Sequence, residues 1–188
     1  MAKSFGYDNF MTLMRTLTIL LLLSTFSRVS FAQAGAASGK PQGYDAPFEF
    51  GFHLGNLLPN QISGVEEIMA LGGVRAGFRL GPESYMEAGF ISGNGEGVEW
   101  KNAHVDIRMD IPIENLVAVS YVGADTNYYK GVGHGTKLIF GGHAGGGIQG
   151  HLSGSCWFRG DMKFGFSPGT SLYIGVGLVF RLGASGNT

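Results

Sequence analysis

The chain holds few of the features that mark a soluble enzyme. It has one cysteine, Cys156, so export brings no intramolecular disulfide framework, and a paired-cysteine metal signature is excluded. Charged residues make up only 14% of the chain and sum to −1, with no Lys/Arg cluster interleaved with aromatics. Nucleic-acid binding is set aside on that ground. No HExxH helix and no G-x-S-x-G nucleophile elbow occurs. Nor is there an apolar run of the roughly 18 to 20 residues that a membrane-spanning helix needs. Glycine is plentiful, at 33 residues. It follows no Gly-X-Y period, which excludes collagen, and the aromatics and aliphatics between the glycines exclude simple disorder. Glycine here is expected to thin a crowded interior.

At the N-terminus, Lys3 and Arg15 precede the apolar run Leu17, Ile19, Leu20, Leu21, Leu22 and Leu23, which Ser24, Ser27 and Arg28 interrupt; Ala32, Gln33 and Ala34 follow. This is a signal-peptide pattern over residues 1–34, with cleavage expected after Ala34. Met11 or Met14 is an alternative start that leaves the mature chain unchanged. No cysteine lies near the cut, which disfavours a lipid anchor. Residues 35–46 read as a short tether, 47–182 as one domain and 183–188 as a tail.

Within that domain the dominant signal is a two-residue period. Leu172, Ile174, Val176, Leu178, Phe180 and Leu182 alternate with Tyr173, Gly175, Gly177, Val179 and Arg181. A strand with two unlike faces results. The bulky face is apolar and its companion small or polar, as suits a lipid-facing wall over a thin interior. The same pattern predicts strands over Pro47–Leu54, with Phe48, Phe50 and Phe52 outside and Glu49, Gly51 and His53 inside. It predicts another over Ala70–Leu80, with Arg75 and Arg79 inside, and a third over Tyr85–Ile91, with Glu87 inside. A fourth sets Ala103, Val105, Ile107, Met109 and Ile111 against Asn102, His104, Asp106, Arg108 and Asp110.

A fifth strand is read with Val117, Val119 and Tyr121 outside and Ala118 and Ser120 inside, followed by a polar loop over Asp125–Gly135 that carries Tyr128, Tyr129 and Lys130. The sixth, Lys137–Ile148, is glycine-heavy, with His143 inward alongside Lys137 and Ile139. The seventh sets Phe158, Met162, Phe164 and Phe166 outside against Trp157, Arg159, Asp161 and Lys163, with Cys156 facing lipid beside Phe158. Turn residues separate them at Gly81–Ser84, Pro112–Asn115 and Ser167–Thr170. Eight strands predict an all-β, antiparallel, up-and-down transmembrane barrel with no open edge and both termini on one side. If that side is the periplasm, the connections after the first, third, fifth and seventh strands face outward.

An eight-stranded barrel has room for packed side chains and not for a wide aqueous channel. Its expected lumen charges are Glu49, Arg75, Arg79, Glu87, His104, Asp106, Arg108, Asp110, Arg159, Asp161 and Lys163, which can neutralise one another. Imidazole can also serve as base or metal ligand. His53, His104 and His143 stand on different strands, however, and His104 beside Asp106 reads better as lumen polarity. The GGHAGGG run of 141–147 lacks the Gly-Lys-Ser/Thr ending of a phosphate loop. No catalytic, cofactor or metal residue is therefore assigned. Tyr128, Tyr129 and Lys130 read as members of an interfacial belt, or as contacts for an unidentified surface ligand.

Ser167 to Gly177, SPGTSLYIGVG, with Leu178, Val179 and Phe180 after it, resembles the last hairpin of small outer-membrane β-barrel domains, of which the OmpA transmembrane barrel is the familiar case. The resemblance is architectural over about Pro47–Leu182. It implies a bacterial outer-membrane location, membrane lipids and the barrel assembly machinery as partners, and Phe180 as the assembly signal, although Arg181–Thr188 follow that residue. A peptidoglycan-binding role is not carried over. The resemblance implies a structural or interaction role without turnover. A lipid-modifying barrel enzyme would cluster polar residues at one rim, and a soluble periplasmic ligand barrel would need an apolar cavity.

Overall fold

The computed structural model describes residues 43–65, 68–95 and 97–183. The expected signal peptide, most of the tether and the tail beyond Gly183 lie outside them. Eight strands follow one another: β1 (Phe48–Asn60), β2 (Met69–Gly81), β3 (Ser84–Gly95), β4 (Val98–Ile113), β5 (Leu116–Lys130), β6 (Thr136–Ser153), β7 (Cys156–Gly165) and β8 (Thr170–Leu182). Each pairs antiparallel with its sequence neighbours, and β8 closes on β1, so the sheet is an all-β barrel without an edge.

The register sets the tilt. Stepping across from Phe48 leads through Phe78, Met86, Ile107, Val122, Ala144, Phe164 and Leu172 back to Leu58 on β1, ten residues further along. A stagger of this kind inclines the strands by roughly 35–45° to the barrel axis. At the termini end the connections are tight, at 82–83, 114–115 and 154–155. Glu114 takes a left-handed conformation there, with φ 52°. The opposite, loop end carries connections at 61–68, 96–97, 131–135 and 166–169.

The wall is inside-out relative to a soluble barrel. Phe48, Phe52, Leu54, Val105, Val122, Ile148, Ile174 and Val176 point outward and stay exposed, while Arg108, Asp110, Arg159 and Gln149 are fully buried. Each large apolar side chain left in water would forfeit about 1.5–3 kcal/mol. A lipid surround removes that cost. Close packing explains part of the glycine content. A Cβ at Gly145 would come within 2.5 Å of the Tyr121 ring, and one at Gly73 within 2.8 Å of His53 Nε2.

Most strands are longer than their alternation predicts, whereas β7 ends at Gly165 and leaves Phe166, expected on its outward face, in the connection to β8; two expectations change in β5. β5 has the opposite faces: Val117, Val119 and Tyr121 are buried, while Leu116 and Val122 stand outside with Ala118 and Ser120. The apolar trio fills the lumen where it meets Trp157 and the polar cluster. The polar loop expected from Asp125 is also strand as far as Lys130, so Asp125, Asn127 and Tyr129 point inward and only residues 131–135 connect to β6. The connection after β3 shortens likewise to residues 96–97.

Candidate functional site: the lumen

Inward residues of all eight strands converge on three levels. At the termini end, Tyr44, Val117, Trp157 and Val179 form a floor. Residues 43–46 fold back beneath the barrel to supply it. Tyr44 donates its hydroxyl proton to the Asp110 carbonyl at 2.9 Å, and burial with the Asp110 charge pushes that hydroxyl above its ordinary pKa. The Arg181 guanidinium lies 4.2 Å from the Trp157 ring centroid and donates to Gln149 at 2.6 Å and Asp110 at 3.0 Å. Arg79 faces inward at this end of the lumen, against the rings of Tyr44 and Tyr85. It pairs with exposed Asp45 at 3.0 Å and donates to the carbonyls of Tyr44 and Pro82.

The middle level is a guanidinium and carboxylate network. Arg108 donates to Asp110 at 2.7 and 3.1 Å, to Glu87 at 2.6 Å, and to both oxygens of Glu49, one of them at 2.8 Å. Arg159 donates to Asp161 at 2.8 Å and Glu87 at 2.6 Å. Arg75 meets Asp161 at 2.8 Å and His53 Nδ1 at 3.1 Å. Twice, then, an arginine holds the aspartate two residues along its own strand, because i and i+2 share a face. Bidentate, charge-assisted bonds of this kind offset the desolvation that would make unpaired buried charge prohibitive.

Above them lies a level of imidazole, amide and ammonium. His143 stands between Asp106, 2.6 Å from Nε2, and Asp125, 2.9 Å from Nδ1, with its ring 5.6 Å from that of His104. Asn102 donates to Asp125 at 2.8 Å and Asn127 at 2.7 Å. Lys163 reaches the Asn102 carbonyl oxygen at 3.3 Å and His104 Nδ1 at 3.4 Å. Two cavities of about 20 Å³ border this level, one between Arg75, Arg159 and Asp161 below and His104 and Asp106 above, the other against Asn127, Ser167 and Ser171. Each has room for about one water. A lid of Leu57, Ile62, Val65, Met69, Leu71, Ile91, Trp100, Tyr129 and Tyr173 covers them. Residues 61–65 complete the lid with Ile62 and Val65, and Val132 N–H donates to the Gly64 carbonyl at 3.0 Å.

The histidines separated along the sequence thus divide: His104 and His143 meet, while His53 belongs with Arg75 and Tyr173. Alternation along β1, β4 and β6 already placed all three inward; which of them meet depends on the stagger. The buried charges absent from the expected set are Arg181 and Asp125, joined by the neutral Gln149 and Asn127. Arg181 was visible on the companion face of the last strand. Glu87, His104 and Asp106 bring potential ligand atoms within 4.8 Å of one another. Glu87 is already bonded to Arg108 and Arg159, and Lys163 sits on His104, so a cation there would face four positive groups including Arg75. The donor set is that of an ionic core. Phe180 lies on the outward face of β8, between Phe50 and Cys156 in the register.

No protein-family model matches the chain, and no curated protein sequence matches it. Solved structures do. Neisserial surface protein A is 8% identical with a TM-score of 0.62, and the match covers 73% of this chain and 98% of that one. The N-terminal β-barrel domain of Pseudomonas aeruginosa OprF is 10% identical with a TM-score of 0.58, covering 72% and 97%. The fold is an eight-stranded transmembrane-type β-barrel. At such identities the similarity reaches no further than architecture.

Proposed function

We propose that the protein is a non-enzymatic integral outer-membrane barrel, a packed structural body whose outward surfaces carry its interactions. The observation that supports this most is a lumen closed twice, by the Tyr44 and Trp157 floor and by the Trp100 and Tyr129 lid, with its charges committed to one another in between. A conducting pore needs an open path. A lipid-modifying enzyme needs its polar cluster open to lipid at a rim, whereas His104 and His143 are buried under the lid. In this reading residues 1–34 direct export with cleavage after Ala34, Phe180 is read by the assembly machinery, and the termini end faces the periplasm.

Carbonate-washed envelopes should retain the protein, and unboiled samples should migrate differently from boiled ones on gels. In planar bilayers the purified barrel should give no steady conductance. Release by carbonate without a gel shift would make a soluble barrel the better reading, and steady single-channel steps would reject the sealed lumen. Sequencing of the mature N-terminus checks the cut after Ala34.

A further inference from the structure

The described cations are distributed unevenly. Arg75, Arg108, Arg159, Lys163 and Arg181 are buried in the lumen, and Arg79 is held at the termini rim. The others, Lys101, Lys130 and Lys137, stand at the loop end of the neighbouring strands β4, β5 and β6. Strand alternation puts Lys101 on the outward face with Val105, and Lys130 on the outward face with Tyr128 and Val122. The register sets Lys101 opposite Tyr128 and Glu99 opposite Lys130. Four side chains therefore form one patch on the membrane-facing wall.

Lys101 Nζ lies 2.5 Å from a Glu99 oxygen and 5.2 Å from the Tyr128 ring centroid, and Lys130 is exposed. Further down the same wall the outward residues are apolar, with Val105 and Val122 below the patch and Leu138 and Phe140 beside it on β6. The patch thus stands where the apolar wall gives way to polar groups, the depth of lipid headgroups. Of the two outward ammonium groups, Lys101 pairs with Glu99, and Lys130 stands opposite that residue in the register. Among the described residues the four side chains of the patch therefore carry one more positive than negative charge. Glu66, Glu67 and Glu96, in the adjoining connections, lie outside the described residues.

We propose that Lys101, Tyr128 and Lys130 bind the phosphate of an outer-leaflet lipid whose acyl chains lie along the wall beside Phe140 and Leu138. Ammonium groups suit phosphate as compact charges with three donors, and a tyrosine at this depth presents an apolar ring and a polar tip. Glu99 acts as the competitor that phosphate must displace from Lys101. The inference rests on the reading of the chain as an outer-membrane barrel with its loop end outward.

The test is native mass spectrometry of the purified protein carrying phosphatidylglycerol, a bisphosphorylated lipid A or phosphatidylcholine. Retention of the two anionic lipids should fall about tenfold in K101Q/K130Q and rise about threefold in E99Q, with phosphatidylcholine, whose phosphate is neutralised by its own choline, unchanged. Glu83→Gln, at the termini end, should change nothing. Equal retention by wild type and K101Q/K130Q, or an unchanged E99Q, overturns the site. Displacement by inorganic phosphate alone at equal concentration would assign the site to free phosphate and overturn a lipid ligand. Each variant is first checked for the heat-dependent gel shift. Loss of the shift in wild type defeats the underlying barrel reading, whereas a retained shift without preference for the anionic lipids defeats this inference alone.

Discussion

Toward the termini the lumen is filled by guanidinium groups, each gripped by carboxylates and several stacked on aromatic rings, whereas toward the loops it holds imidazoles, amides and one ammonium beneath an apolar lid. One water-sized cavity reaches from the guanidinium network, at Arg75, Arg159 and Asp161, up to His104 and Lys163, and the other lies toward the loops among Asn102, Asp125 and Asn127. Arginine's planar fork presents five donors in a fixed array that neighbouring carboxylates can meet. Lysine, histidine and asparagine offer fewer donors in less rigid arrays, and the gaps between them suit single waters. The barrel therefore joins a guanidinium plug to a chamber of imidazole, amide and ammonium groups.

The largest expected effect tests the plug. Arg108→Leu strands Glu49, Glu87 and Asp110 without their shared partner, and should lower unfolding stability in detergent by about 3–5 kcal/mol, read from a urea midpoint. A loss below 1 kcal/mol would mean that the network is not what holds this half together. Trp100→Ala removes the stacked partner of Tyr129, 5.3 Å away in the lid, and should cost about 3 kcal/mol. Its amide exchange should accelerate around Asn102 and Asp125 and not around Asp110, and conductance should stay nil because the plug is intact.

Smaller effects sharpen the contrast. Gly64 has φ 75°, and a Cβ there would meet His134 and the Val132 backbone within 2.9 Å, so Gly64→Ala should cost about 1–2 kcal/mol. It should also expose the β1–β2 connection to proteolysis while the termini half stays protected. Tyr44→Phe deletes one hydrogen bond of the floor and should cost about 1 kcal/mol in the same urea assay.

The outward wall was largely legible because membrane and lumen impose opposite demands on successive residues, and β1, β4, β7 and β8 alternate without interruption. β5 misled for a physical reason. Val117, Val119 and Tyr121 are bulkier than Ala118 and Ser120, and bulk was equated with the lipid side. The floor and the space around Arg159 also need bulk, which this strand supplies from within. Asp125–Lys130 misled differently. Where a strand rises to headgroup depth both of its faces are polar, as Thr126 and Lys130 outside and Asp125 and Asn127 inside demonstrate, and the two-residue contrast disappears. Pairing across the lumen was not legible at all. Arg108 with Glu49 and Arg159 with Glu87 depend on the ten-residue stagger, which the alternation of any single strand does not encode.

Both tryptophans point inward, Trp157 in the floor and Trp100 in the lid, while the exposed bulk of the wall is phenylalanine and aliphatic. Indole emission from this protein is consequently a signal from its interior. Quenchers dissolved in the acyl chains should leave it bright, and each single-tryptophan variant becomes an optical probe of one end, so that loosening of lid and floor can be followed separately without adding a dye.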